Sequence, residues 1–168
     1  MLGLALINYF PAAGGALPII ILATGIGQLL ATVWSAALGQ SAVAAVFGGF
    51  WLSYAAGPAR GADSRLVGVT PAATIHTVAA FLISWIVIIA VLTLAGLRLP
   101  SAFTLIFVLV EVALILVLAA TVNGSSGLDK AAGIVVFAFA AVGAYVFAGS
   151  LSVATGGRAL PLGRPVIT

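Results

Sequence analysis

Charge is almost absent from this chain. Six Lys or Arg and three Asp or Glu serve 168 residues. No charged side chain occurs before Arg60, between Arg65 and Arg98, or between Lys130 and Arg158. A water-soluble domain needs a charged surface, so these gaps exclude one. Cysteine is missing altogether, which excludes a disulfide framework and a thiolate metal site. Period-2 alternation is missing too. Runs such as 83–92 and 134–142 are almost continuously apolar, which excludes a membrane β-barrel and requires helices.

What remains is hydrophobic. The chain is 64% hydrophobic with a mean hydropathy of +1.35, spread over its whole length. It reads as an all-α integral membrane protein with one membrane-embedded unit. The net charge of +3 suits loops beside lipid head groups and gives no footprint for nucleic acid. The apolar start has no basic flank and further spans follow it, so it reads as mature protein rather than a leader.

A spanning helix needs about 20 apolar residues. Residues 1–9 are apolar but reach only about 14 Å, before Pro11, Gly14 and Gly15 break the backbone. Five full spans follow, at about 16–38, 41–56, 71–97, 101–122 and 130–154, with a tail at 155–168. The expected architecture is a six-helix transmembrane bundle whose first helix is truncated. The segments 57–65 and 123–129 hold most of the polar residues and are expected as aqueous loops. Pro100 suits the first turn of the following helix. Alternating spans put Arg98, Arg158 and Arg164 on one side and Arg60, Arg65 and Lys130 on the other. Three against three leaves the positive-inside rule without a preference.

Several residues in the spans invite chemistry. Thr24, Gln28 and Thr32 recur every four residues, which puts them on one helix face. That stripe reads either as the lining of a solute path or as interhelical hydrogen bonding. Ala45, Gly49, Ser53 and Gly57 repeat at the same interval and read as close helix packing. Phe47, Phe50 and Trp51 point elsewhere around that helix, toward an aromatic constriction or toward lipid. Glu111 stands near the middle of a span, where a carboxylate is expensive and should face the bundle interior. It reads as a proton carrier or pore lining, or as a neutral acid bonded across helices. His76, alone near a span start, reads as structural. No phosphate loop, carboxylate pair or Ser/His/Asp set appears, so neither an enzyme nor a metal or cofactor site is expected.

The segment Phe47-Gly-Gly-Phe-Trp-Leu52 resembles the third-helix Tyr-Gly-x-Phe-Trp motif of the acetate uptake transporter family, which has bacterial succinate–acetate permeases and fungal relatives. Further matches fall in the same order. Ile7-Asn-Tyr-Phe10 looks like the end of the family's first helix, and Gly25-Ile-Gly-Gln28 is similar to its second-helix Gly-x-x-Gln. Trp85 stands at the family's distance before Arg98. Asn123-Gly resembles the polar end of helix five, and Tyr145 falls in helix six. Gly157-Arg-Ala-Leu-Pro-Leu-Gly163 looks like the closing Gly-Arg-x-x-Leu-Pro-x-Gly.

The resemblance implies six helices around a narrow pore, both termini in the cytoplasm, a homohexamer in the cell's inner (plasma) membrane, and passage of acetate and often succinate coupled to protons. By position it puts Gln28, Phe47, Trp51 and Asn123 on the pathway. Phe47 replaces the family's tyrosine and makes the constriction more apolar. The family's Asn-Pro-Ala-Pro-Leu-Gly start of helix one has no counterpart here. A reading frame beginning upstream of Met1, with a dozen or more apolar residues, is therefore expected. Glu111 is no family motif position. The alternatives to acetate transport are ammonium or ammonia movement and a truncated, non-conducting membrane subunit.

Overall fold

The computed structural model describes residues 2–7, 9, 26–27, 29–34, 36–37, 39 and 71–167. They belong to two compact units, one of Met1–Tyr9 with Ile75–Thr168 and one of Phe10–Thr74. In the second unit the described residues from Ile26 to Ala37 are helical, and Gly39 N–H donates to Ala36 O at 3.0 Å where that helix turns off. The expected span 41–56 and loop 57–65 lie outside the described residues.

The first unit is built from helices. They are α1 (Leu2–Leu6), α2 (Pro71–Gly96, in this unit from Ile75), α3 (Ser101–Asn123) and α4 (Ser126–Ala154). No strand occurs among the described residues. Ile75–Gly96, Ser101–Asn123 and Ser126–Ala154 are long and apolar enough to cross a membrane. At 1.5 Å per residue even α3 reaches about 35 Å, more than the hydrocarbon thickness. Large apolar side chains lie on their outer faces, among them Val87, Val91 and Leu94 of α2 and Ile134 and Phe147 of α4. In water such faces would be a liability; in lipid they meet a matching solvent.

α3 and α4 form an antiparallel hairpin, and the connection is shorter than the sequence suggests. The expected seven-residue loop 123–129 contracts to Gly124 and Ser125. Gly124 adopts the left-handed conformation (φ 62°, ψ 30°), and its N–H reaches back to Ala120 O, so the helix end is closed without a loop. Ser125 caps α4 by accepting from Leu128 N–H at 3.4 Å, and Asp129 in the first turn suits the positive helix end. Local capping therefore converts Ser126–Asp129 into helix despite their polarity. Small buried residues, Ala113 and Ala120 on α3 with Ala132 and Gly133 on α4, are the kind that let membrane helices approach closely.

The start of α3 is held by the tail rather than by Pro100. Pro100 is not in the first turn but just before it, with ψ at 139°. It offers no capping side chain, and the chain's own tail supplies the acceptor. Leu162 O accepts from Ala102 N–H at 3.0 Å and from Ser101 Oγ at 3.4 Å. The tail is then tied down along its length. Ser152 Oγ donates to Arg158 O at 2.8 Å, Tyr145 Oη donates to Pro161 O at 2.9 Å, and Val166 N–H donates to Leu97 O at 2.9 Å. Residues 157–167 thus form a strap across the shared end of α2, α3 and α4.

Candidate functional site

Most polar side chains in the described spans are satisfied by their own helix. Ser84, Thr93, Thr121 and Ser150 each donate to the carbonyl four residues earlier, at 2.7–3.1 Å. Such bonds cost the membrane nothing further, because the donor never faces hydrocarbon unpaired. Buried Thr104 reaches across the α2–α3 turn instead, donating to Gly96 O at 2.9 Å. Phe107 covers the same glycine, its ring 3.0 Å from where a Cβ on Gly96 would stand.

Glu111 is the exception. It follows Thr104 and Phe107 on one face of α3, at steps of three and four residues. Its Oε2 is buried and has no hydrogen-bond partner. Glu111 is also the only charged residue type in the whole of α3, and α2 has none. Glu111 as a whole is half-buried, but a buried carboxyl oxygen normally finds a partner, so a lone one calls for a functional reason. Placed in a span, it can take up and release a proton whenever water or a solute reaches it.

The other candidates divide. Thr24, Gln28, Phe47 and Trp51 lie outside the described residues. Thr32 is helical and half-buried. Asn123 is the last residue of α3 and exposed, its Nδ2 donating to Ala119 O at 2.8 Å. It is 12 residues beyond Glu111, about 18 Å along and 120° around the helix, so the two do not form one site within this unit. His76 is exposed near the start of α2. Trp85 packs edge-on to Phe81, ring centroids 6.4 Å apart. Among the described residues no His, Cys, Asp and Glu cluster could hold a metal ion.

One feature escapes sequence reasoning. Between α3, α4 and the strap lies an open groove of about 710 Å³, walled by Leu105, Val142 and Leu162, with the hydroxyls of Ser101 and Tyr145 at its strap end. Nothing in the sequence of the tail places this segment against the bundle.

The chain matches no curated protein. The family model described as the GPR1/FUN34/yaaH family matches residues 14–156, which takes in α2, α3 and α4 complete. With long apolar helices and a match over most of its length, the chain belongs to the GPR1/FUN34/yaaH family, the acetate transporter family.

Proposed function

We propose that this protein carries acetate, with succinate as a second substrate, across the cell's plasma membrane together with protons. Family membership supports transport of this kind, and the observation that carries the proton part is the buried, unpartnered Glu111 Oε2. A permanent positive clamp would hold a carboxylate too tightly to release it. The described spans offer none, because Lys130 is their only Lys or Arg and is the fifth residue of α4, near its start. Amide and hydroxyl donors bind a small anion weakly enough for throughput. In this reading Gln28 and Asn123, with Thr24 and Thr32, supply such donors. Phe47 and Trp51 form the narrow apolar ring that admits small monocarboxylates. Glu111 gives or accepts the proton as the anion passes, and a homohexamer of six-helix subunits completes the assembly.

Uptake of labelled acetate into proteoliposomes, with and without an inward proton gradient, tests the reading. Saturable flux that rises with the gradient is expected. Flux that ignores the gradient would remove the proton coupling, and no flux above protein-free vesicles would remove transport. Competition by ammonium but not by succinate would move the substrate to ammonium.

A further inference from the structure

We propose that the strap end of the helical unit binds an anionic phospholipid, its acyl chain lying in the α3–α4 groove and its phosphate on Arg98, Arg158 and Arg164. Three observations meet at this end. The groove is about 710 Å³ and open along one side, within the size of ordinary ligand sites of about 300–1,000 Å³. Its walls are mostly apolar, as a hydrocarbon chain requires, while the hydroxyls of Ser101 and Tyr145 lie against the strap, bonded to Leu162 O and Pro161 O. That contrast in polarity matches a lipid, which has an apolar body and a wet head.

The second observation is charge. Arg98, Arg158 and Arg164 are all exposed. Each stands within three residues of a groove wall residue: Arg98 before Ser101, Arg158 before Pro161, Arg164 after Gly163. The tail would be free to carry its two arginines away, but its bonds hold it at this end, with Val166 N–H on Leu97 O next to Arg98 and Ser152 Oγ on Arg158 O. No described acidic residue shares this end. Asp129 is in the first turn of α4, at the far end. Glu111 is ten residues into α3, about 15 Å away along the helix.

The third is chemistry. With no described acidic side chain at this end, the three guanidinium groups are open to an anion from outside, and their planar fork matches phosphate oxygens. At a membrane surface the abundant phosphate is a lipid head group, and basic pockets between spanning helices are where such head groups bind.

The full-length chain, purified in a neutral detergent, provides the test. Dioleoyl phosphatidylglycerol or dioleoyl phosphatidylcholine is added, and melting temperature and retained lipid by native mass spectrometry are read. The glycerol lipid is expected to raise the melting temperature more and to be retained. Replacing the arginines by Arg98→Gln, Arg158→Gln and Arg164→Gln should weaken its apparent affinity about fivefold per substitution. Because all three are exposed, melting in detergent alone should not change. Ala141→Phe, which fills the groove, should reduce retention of both lipids. Equal response to the two lipids, or an unchanged preference in the triple variant, overturns the proposal. So does an equal shift with sodium phosphate, which would mean a free-anion site. A change of oligomeric state by Ala141→Phe with lipid retention intact also overturns it, since a second copy would then cover the groove.

Discussion

Gly3 and Gly133 meet where α1 packs on α4: a Cβ placed on Gly133 would stand 3.0 Å from Gly3 O and 2.7 Å from Ile7 Cγ2. From the other side, a Cβ on Gly3 would stand 3.2 Å from Gly133 O and 3.0 Å from the Phe137 ring. A five-residue helix cannot hold itself together, so α1 owes its place to this close contact.

Gly133→Ala therefore should destabilise the protein although alanine favours helix by about 1 kcal/mol. The clash involves backbone, which cannot step aside, and overpacking costs about 1–3 kcal/mol. Gly143→Ala, in the same helix with nothing near its Cβ, should be neutral or stabilising. Thermal melting of both variants in detergent checks this. A Gly133→Ala protein that melts with or above wild type would show that α1 does not dock as described.

At Glu111, replacement by glutamine keeps the shape and removes the exchangeable proton. Glu111→Gln should fold normally and flatten the pH dependence of acetate uptake. Glu111→Leu removes a buried oxygen that has no partner, so stability should hold or rise, by up to about 1–3 kcal/mol. Uptake measured at two pH values, beside melting curves, separates the roles. Identical pH profiles for wild type and Glu111→Gln would take Glu111 out of the mechanism.

The strap makes its own prediction. Tyr145→Phe deletes the bond to Pro161 O, worth about 0.5–1.5 kcal/mol. Gly163→Ala is harsher, because Gly163 has φ +82° and Ser101 Oγ occupies the space of a Cβ. Both should speed hydrogen exchange at the Ala102 amide, more so in Gly163→Ala. Unchanged protection at Ala102 would mean that the strap does not cap α3.

Gln28→Leu keeps the volume of the side chain and removes its amide. Acetate flux should drop at least about tenfold, a loss of about 1.4 kcal/mol, with membrane insertion intact. Normal flux would make the Thr24–Gln28–Thr32 stripe a packing feature.

The sequence by itself determined the membrane environment, the helical class and the family. Those rest on long charge-free runs and on ordered motifs, which are one-dimensional signals. It also singled out Glu111, because a carboxylate amid apolar residues stands out in any arrangement. The contraction of 123–129 was less visible: polarity argued for a loop, while the left-handed Gly124 and the Ser125 cap favoured helix. Tertiary structure alone decided that Glu111 Oε2 lacks a partner, that two glycines seat α1 on α4, and that the tail caps α3. Each depends on residues far apart in the chain, Gly3 with Gly133 and Ala102 with Leu162, and no local pattern encodes which distant group arrives at a given atom.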